Sequence, residues 1–354
     1  MNQYKAIFLS NWLGNPYKKL LALGLENQNI VVEEHLWRTW FVPLCLRDRS
    51  TKILHLHTLH PFLNGKNWLT RGIKLIMFVG QIILLRFWGI KTVWTVHEWK
   101  DKIAGGKANI SAVRAAILGV FFHAIITHCS STQRAISIFF GLQNTAKVVV
   151  IPHGNYIDCY ENIIDSATAR EKLGISPYSF VFVLFGNIYR YKGIIEAIDA
   201  FVQLNNAETT LLIAGKTDSQ ELKQEITAKI QQQPNILWVD RKIPDLEIQT
   251  YLNASDCLLI PYQVFTTSGI AVLGMSFAKA CIAPRAGFFD DILDSGGTFF
   301  YHPEQPNSLL TAMNQALERR NLIEDMGRHN LELAKNWHWQ SVGQQTALVY
   351  DINR

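Results

Sequence analysis

Phe185-Gly-Asn-Ile-Tyr-Arg-Tyr-Lys-Gly193 follows a strongly apolar segment, residues 179–185, and leads into a predicted helix over residues 192–204. A buried strand, a loop with glycines and then a helix is the repeating unit of parallel α/β proteins. The helix start supplies free amides and a positive dipole end, and Arg190 and Lys192 add two cations. We predict that the loop binds a diphosphate; the alternative is a loop with two solvated cations.

The same alternation of short apolar strands and helix-length segments continues in both directions. The predicted strands are residues 5–9, 53–57, 92–96, 123–127, 148–151, 179–185, 210–214, 235–239, 257–261 and 280–284. The predicted helices are a segment from residue 17 and residues 66–88, 192–204, 218–231, 245–253, 268–278, 306–318 and 337–352. A chain of this length with this rhythm predicts two similar α/β domains, residues 1–170 and 171–335, with a terminal helical segment over 336–354.

The charge is unevenly distributed along the 354 residues. Residues 1–155 hold 18 Lys or Arg and 6 Asp or Glu, whereas residues 156–354 hold 16 and 23, so the halves carry +12 and −7. A basic half indicates an anionic partner: nucleic acid, an anionic membrane or a phosphate-bearing substrate. We predict no nucleic-acid binding, because the basic half has no recognisable reading motif.

The helix predicted over residues 66–88 combines an apolar middle with aromatic and basic residues: Trp68, Phe78, Phe87, Trp88, Arg71, Lys74 and Arg86. We expect its apolar stretch, Leu75–Leu85, to be too short to span a bilayer, and we predict reversible binding to an anionic membrane surface. The alternative is a buried core helix with solvated ends. The chain start does not resemble a signal peptide, and the five cysteines are scattered and odd in number, so we predict a cytoplasmic protein, peripheral on the inner face of the membrane.

Pro261-Tyr-Gln-Val-Phe-Thr-Thr-Ser-Gly269 follows another strand and precedes a helix that begins at Ile270. Thr266, Thr267 and Ser268 are favourable N-cap residues, and Gly269 admits a close ligand. Ordinary capping explains one of them but not four small residues in a row. Past the next strand, Gly287-Phe-Phe-Asp-Asp291 offers carboxylates for sugar hydroxyls; the alternative is a solvated loop.

Strand ends in the first half carry further candidates. His97, in Thr95-Val-His-Glu98, is a candidate proton shuttle, although a single histidine there is more often structural. Gly14 and Asn15 lie in a loop that would meet a phosphate or an acceptor, and His153, in Ile151-Pro-His-Gly-Asn155, is predicted to lie near the cleft between the domains. His55, His57 and His60 suggest a metal site, but no acidic or cysteine ligand lies nearby, so we predict that no metal binds.

Taken in order, these segments resemble the retaining glycosyltransferases of family 4, over nearly the whole chain. The resemblance rests on His55-Leu-His57, Thr95-Val-His97, Ile151-Pro-His-Gly154, Ala169-Arg-Glu-Lys-Leu-Gly174, Gly186 to Gly193, Ile213-Ala-Gly215, Ala254-Ser-Asp256, Pro261-Tyr262, Ser268-Gly269 and Gly287. It implies the GT-B fold, in which two Rossmann-like domains have parallel sheets that face a cleft. It also implies that the final helix crosses back to the N-terminal domain, and that no metal or other cofactor is needed.

The resemblance implies that the second domain holds a nucleotide-diphosphate sugar and that the first holds the acceptor. The implied donor-binding residues are Gly186, Asn187, Gly193, Thr266, Thr267, Ser268, Gly269 and Ile270, with His97, Arg190 and Lys192 as catalytic residues and Gly14, Asn15 and His153 at the acceptor. Two features depart from the family. Asn187 stands where the family has arginine, and Thr266 and Gly274 stand where it has two glutamates that contact the sugar and the ribose.

The resulting prediction is sugar transfer from a nucleotide donor to a saccharide or lipid-linked acceptor, in exopolysaccharide or cell-surface glycan synthesis. Thr-Ser-Gly in place of the first glutamate resembles a bacterial subgroup with that role. Two alternatives remain: a sugar-nucleotide epimerase of the same architecture, and a non-catalytic nucleotide-sugar-binding subunit, which the missing glutamates favour.

Overall fold

The computed structural model describes residues 3–98 and 112–351. Its contacts divide the chain into two units, Met1–Gly154 with Trp337–Arg354, and Asn155–Asn336. The division falls after Gly154, whereas the sequence placed it at residue 170. The reason is that the segment after Gly154 bonds within the second unit: the Asn155 side-chain amide donates to the Ala334 carbonyl (2.9 Å), and the Tyr156 amide donates to Ser276 Oγ (2.9 Å).

The first unit contains one parallel sheet of six strands in the order β2-β1-β3-β4-β5-β6. Its elements are β1 (Tyr4–Ser10), α1 (Pro16–Glu26), β2 (Ile30–Leu36), α2 (Val42–Leu46), β3 (Thr51–Leu56), α3 (His60–Leu63), α4 (Trp68–Phe87), β4 (Lys91–Thr95), α5 (Ala112–Phe121), β5 (Ala124–Thr127), α6 (Ser130–Phe139) and β6 (Val148–Val150). The sequence did not predict β2, because Glu33, Glu34 and His35 interrupt its apolar pattern. These polar residues are tolerated because β2 is an edge strand and most of its side chains are only partly buried.

The second unit contains another parallel six-stranded sheet, in the order β12-β11-β10-β7-β8-β9. Its elements are α7 (Ser166–Leu173), β7 (Phe180–Phe185), α8 (Ile194–Leu204), β8 (Thr209–Ala214), α9 (Gln220–Ile230), β9 (Ile236–Val239), α10 (Ile248–Ala254), β10 (Cys257–Leu259), α11 (Gly269–Ser276), β11 (Ala280–Pro284), α12 (Gly287–Ile292), β12 (Thr298–Tyr301), α13 (Ser308–Glu318) and α14 (Ile323–Lys335). The predicted α/β class with two parallel sheets is confirmed.

The helix predicted to begin at residue 192 begins at Ile194 instead. Residues Arg190–Lys192 form a 3-10 turn, and Gly193 follows with φ of 70°, a left-handed conformation that interrupts the helix geometry. Glycine adopts this conformation without the steric cost that a side chain would bring. The turn that carries Arg190 and Lys192 is therefore separate from α8 and precedes it.

Helix α4 is longer than the apolar stretch that the sequence indicated. It runs for 20 residues, from an N-terminal capping box of Asn67 and Thr70 to a C-cap at Trp88. Within the part of the chain that the structure describes, α4 alone is long and apolar enough to cross a membrane by length and composition, so the prediction that the stretch is too short was wrong.

The last helix, α15 (Trp339–Asp351), belongs to the first unit and packs against α1. The contact is close because two glycines meet: a Cβ on Gly343 would lie 2.3 Å from the Gly24 carbonyl carbon. Tyr350 on this helix is buried, and its hydroxyl lies 2.7 Å from His55 Nδ1. The α1–α15 contact therefore also places the Tyr350 hydroxyl beside His55, one of the histidines of the first unit.

Gly343→Ala is expected to lower the free energy of unfolding by about 1–3 kcal/mol, because the new methyl group forces α1 and α15 apart. The matched control is Gly80→Ala in α4, where a Cβ would have open space. There the same change should stabilise the protein by up to about 1 kcal/mol through helix propensity. Urea unfolding of both variants measures the difference, and shifts of the same sign would contradict the proposed contact.

Candidate functional site

The second sheet has a topological switch point between β7 and β10, where the strand order reverses. In local numbering its order is the 3-2-1-4-5-6 of dinucleotide-binding sheets, and ligands bind such sheets beyond the carboxyl ends of the strands at that point. Two loops begin at this switch point. One is the loop predicted to bind a diphosphate, residues 186–193 after β7, which is called the phosphate loop. The other is the β10–α11 loop, residues 260–268. Both were singled out from the sequence.

The phosphate loop is pressed against the β10–α11 loop. A Cβ on Gly193 would lie 1.9 Å from the Pro261 carbonyl oxygen, so no larger residue fits. Gly186 has φ of 90°, and a Cβ there would lie 2.8 Å from Ile270 Cδ1 at the start of α11. The two glycines thus bring the backbone after β7 directly beside the N-terminus of α11.

Lys192 extends over this same point. Its ammonium donates to the Asn187 carbonyl (2.7 Å) and lies 5.6 Å from the ring centre of Tyr189 and 5.5 Å from that of Tyr262. It is also the charged atom beside Gly186, 3.9 Å from where a Cβ would stand. The aromatic faces and the carbonyl hold the cation in place, and the ammonium has further donors for an anion.

Arg190 is placed elsewhere. Its guanidinium forms an exposed ion pair with Glu225 on α9, and the hydrogen bonds that it donates to the Glu225 carboxylate raise the pKa of Arg190. The structure therefore brings Lys192, but not Arg190, to Gly186. The sequence could not distinguish the two cations, because the 3-10 turn directs side chains two residues apart to different neighbours.

The N-terminus of α11 completes this group. Ser268 is its N-cap: the buried Oγ accepts a hydrogen bond from the Ala271 amide (3.2 Å). Thr267 Oγ1 is buried and has no hydrogen-bond partner among the described residues. The first amides of α11, at Gly269 and Ile270, are at the positive end of the helix, and the Ile270 side chain lies beside Gly186. Such an end favours an anion.

Gly274, at one of the two positions where the resemblance implies a glutamate, has no room for a side chain. It lies on the buried face of α11, and a Cβ there would lie 2.3 Å from Leu258 Cδ2 on β10. A carboxylate at this position would displace the core and would be buried without a demonstrated partner. At the other position Thr266 is half-buried.

Past β11, the carboxylates predicted to bond sugar hydroxyls lie on the short helix α12. Asp290 and Asp291 are both exposed, and Asp290 is 3.7 Å from the Arg285 guanidinium. Phe265 of the β10–α11 loop packs on Phe289 of α12, with ring centres 4.6 Å apart. This contact ties α12 to the β10–α11 loop, but the structure does not bring either carboxylate to Lys192.

In the first unit, five histidines gather at the carboxyl ends of β3, β4, β5 and β6. This histidine cluster comprises His55, His57, His97, His128 and His153. Tyr17 lies among them, with ring centres 4.7 Å from His97, 4.9 Å from His153 and 5.3 Å from His128. Four of the five were named from the sequence; His128 was missed, although its position directly after a buried strand was a usable signal.

The histidine cluster is uncharged at neutral pH. Burial lowers the pKa of His55 and of His153 to about 3 and that of His128 to about 4, with nearby histidines adding to the shift for the first two. Burial also lowers the pKa of His57 and of His97 well below the ordinary value. A neutral ring has one donor and one acceptor nitrogen, so these groups can donate hydrogen bonds but supply no positive charge.

His97, the predicted catalytic residue, has its Nε2 3.3 Å from His57 Nδ1. His57 Nε2 and His128 Nε2 are buried, and within residues 3–98 and 112–351 they have no hydrogen-bond partner. His153 is buried, with its Nδ1 2.8 Å from the Gly154 carbonyl oxygen, whereas Gly14 is exposed with open space above it. The structure thus joins His97 and His153 through Tyr17 and leaves Gly14 apart.

Two residues at the start of α1 complete the picture. Asn15 caps the helix by accepting from the Tyr17 amide (2.9 Å), which occupies its side-chain oxygen. Lys18, which the sequence did not single out, is buried, bonds Ser10 Oγ (2.5 Å) and pairs with Glu34. The first sheet reverses its order between β1 and β3, so Lys18 and His57 lie by its switch point.

Among residues 3–98 and 112–351 no group of three or more His, Cys, Asp or Glu side chains has a geometry that could hold a metal ion. The absence of a metal requirement stays a prediction.

Several known proteins are similar to this chain in sequence. Residues 165–332, inside the second unit, match the family model of glycosyl transferases group 1. Over 275 residues the chain is 24% identical to alpha-maltose-1-phosphate synthase of Mycobacterium tuberculosis, covering 72% of this chain and 70% of that protein. Over 167 residues it is 23% identical to GDP-mannose:glycolipid 4-beta-D-mannosyltransferase of Xanthomonas campestris, covering 46% and 45%, so the match spans about half of that relative.

Solved structures match over the whole chain. HepE of Anabaena in complex with UDP has a TM-score of 0.76 at 16% identity, covering 99% of both chains. A glycosyltransferase of Rickettsia africae has a TM-score of 0.78 at 12% identity, covering 99% of this chain and 98% of that one. These matches show the GT-B fold.

Proposed function

We propose that this GT-B protein transfers a sugar from a nucleotide-diphosphate donor to a saccharide or lipid-linked acceptor, in exopolysaccharide or cell-surface glycan synthesis. The observation that carries the proposal is the meeting of Gly186, Lys192 and the N-terminus of α11 at the switch point of the second sheet. The matched relatives include a glycolipid mannosyltransferase and a lipopolysaccharide N-acetylglucosaminetransferase, and HepE was solved with UDP and with UDP-glucose. We also propose membership of family 4.

In this proposal the donor diphosphate lies beside the backbone of Gly186 and the Lys192 ammonium, at the start of α11. The Lys192 ammonium and the amides of Gly269 and Ile270 bond its oxygens. When the sugar leaves, negative charge grows on the nucleoside diphosphate, and donors already aimed at that position stabilise it most strongly in the transition state. We propose that these groups neutralise the charge without a metal or another cofactor. Arg190 can assist only after it leaves Glu225.

The first unit would hold the acceptor. Because the His97 ring is neutral, its role is to donate or accept a single hydrogen bond at the reacting sugar or at the acceptor hydroxyl. Packing against Tyr17 and His57 fixes the direction of that bond. We propose that Gly14 and Asn15 border the acceptor and that the enzyme works in the cytoplasm, at the inner face of the membrane.

The proposal is tested by a thermal-shift screen against nucleotide sugars, with UDP-sugars first. A bound donor should raise the melting temperature, because a ligand that binds only the folded state stabilises it. Incubation of that donor with saccharide and lipid-linked acceptors should then release nucleoside diphosphate and give a glycosylated product. Proton NMR of the new linkage distinguishes retention from inversion.

The outcomes separate the alternatives. An epimerase would make a new nucleotide sugar without any acceptor, and a non-catalytic subunit would show a thermal shift without turnover. Absence of any shift across the panel would refute the donor site. In excess EDTA the transfer should continue; loss of turnover that a divalent ion restores would refute the metal-free arrangement.

A further inference from the structure

We infer that the outward face of α4 is a docking surface for an anionic lipid bilayer. The surface, called the outer stripe, consists of Leu69, Ile73, Ile76, Gly80, Leu84 and Phe87, which recur at the helical spacing of three or four residues. The inference deepens the proposed function, because docking would bring the enzyme to a lipid-linked acceptor. The biological role of docking rests on the proposed function, whereas the docking surface itself does not.

The inner face of α4 is fixed to the first unit. Leu75, Phe78, Ile82 and Leu85 are buried in its core. Gln81, also buried, accepts the Phe41 amide on its side-chain oxygen (2.8 Å) and donates to the Thr39 carbonyl (2.9 Å). Since leaving the unit would break this packing and these bonds, α4 lies along the protein surface and does not cross the bilayer.

The outer stripe contains no polar side chain, although it faces solvent. Ile76 is 73% exposed and Phe87 is 85% exposed. Only 28% of the most apolar 18-residue part of α4 is buried. A surface helix of a water-soluble domain carries polar residues on this face, and a contiguous exposed apolar strip indicates a surface that something covers. Trp68 and Trp88, at the two ends of α4, are also exposed. Exposed tryptophans are typical anchors of helices that lie in a membrane interface.

The surrounding charge favours an anionic covering surface. No Asp or Glu occurs between Asp48 and Glu98, whereas that stretch holds Arg49, Lys52, Lys66, Arg71, Lys74, Arg86 and Lys91. Lys66 and Arg86, near the two ends of α4, are exposed, whereas Arg71 and Lys74 are half-buried and donate to the Gly65 and Pro61 carbonyl oxygens (3.0 and 3.2 Å). A second copy of the chain seated symmetrically on the stripe would oppose like charges without an acidic partner in this segment. In an anionic bilayer the lipid headgroups would instead pair with the exposed cations, and the outer stripe would pack at the boundary between headgroups and acyl chains.

The test is flotation of the complete protein with phosphatidylcholine vesicles, with and without phosphatidylglycerol. The wild type should float with the anionic vesicles, and raised salt should release it. The triple variant Leu69→Gln, Ile76→Gln and Phe87→Gln should lose this binding. The matched control is Ile163→Gln, Leu246→Gln and Leu348→Gln, which changes equally exposed apolar residues elsewhere and should bind as the wild type does.

Lys66→Glu with Arg86→Glu, which changes the two exposed cations, should weaken binding by about tenfold or more, since each basic residue near an anionic surface contributes on the order of 1 kcal/mol. Lys172→Glu with Arg319→Glu, exposed in the second unit, is its control. Circular dichroism melting shows that each variant folds.

Wild type that does not float, or a stripe variant that floats equally well, overturns the inference. A wild-type dimer in sedimentation velocity that the stripe variant converts to monomer also overturns it, in favour of a second copy. Calorimetry with UDP, GDP and ADP keeps the proposals separate: binding of one of these nucleotides without flotation refutes only the docking surface, and flotation without binding of any of them refutes only the donor site.

Discussion

Acidification from pH 7.5 to pH 5 is expected to unfold the first unit, because its histidine cluster is buried in the neutral form. An ordinary histidine has a pKa near 6.5, whereas burial lowers that of His55 and His153 to about 3 and that of His128 to about 4. The unfolded chain therefore takes up protons that the folded unit does not. Stability is complete above about pH 6.5 and is lost as the pH falls below that value toward the folded pKa values.

The expected size of this effect is large. At pH 5 each of these three histidines costs about 2 kcal/mol relative to neutral pH, so together they remove about 6 kcal/mol. The pKa values of His57 and His97 are also lowered and add in the same direction. A typical domain is stable by only about 5–15 kcal/mol, so the loss is enough to unfold it. Urea midpoints measured between pH 7.5 and pH 5 follow the loss.

His128→Asn is the informative variant. His128 Nδ1 lies 2.9 Å from the Ile151 carbonyl oxygen, and an asparagine amide can donate the same hydrogen bond. The variant should keep its fold and show a pH slope that is smaller by about 1.4 kcal/mol per pH unit, which corresponds to one proton. His302→Gln is the control, because His302 is exposed. A urea midpoint that does not change between pH 7.5 and pH 5 would show that the cluster is not buried in the neutral form.

Lys192→Ala is expected to reduce nucleoside diphosphate affinity by about tenfold or more. A charged hydrogen bond is worth roughly 1.5–3 kcal/mol, and Lys192 is the cation that lies beside Gly186. Turnover should fall further, by about a hundredfold, because the charge on the leaving diphosphate is greatest in the transition state. The melting temperature should change little, since Lys192 is only half-buried. Calorimetry with UDP measures the affinity.

Two further variants sharpen this result. Arg190→Ala should have a smaller effect on UDP affinity, because the guanidinium is paired with Glu225. Lys229→Ala should have none, since that lysine pairs with Asp199 on another part of the second unit. Equal losses for Lys192→Ala and Arg190→Ala would mean that the loop rearranges on binding, and unchanged affinity in Lys192→Ala would remove Lys192 from the site.

Much of the fold could be predicted from local pattern. The strand over residues 280–284 has the observed bounds, because a short apolar run between polar segments is sufficient to define a buried parallel strand. Elements such as β2 and α12 were not predicted, because an edge strand and a six-residue helix bury too little to impose a hydrophobic period. The phosphate loop and the β10–α11 loop could be predicted because strand-to-helix junctions carry recognisable glycines and caps.

The sequence by itself determined the α/β class, the two loops at the second sheet's switch point and the basic character of the first half, because composition, periodicity and capping are local properties. Only the tertiary structure decided that Lys192 and not Arg190 lies beside Gly186, that four histidines from four strand ends contact Tyr17, and that the outer stripe of α4 faces solvent. Each of these depends on which residues distant in the chain become neighbours. Sheet order and packing set those distances, and no local pattern contains them.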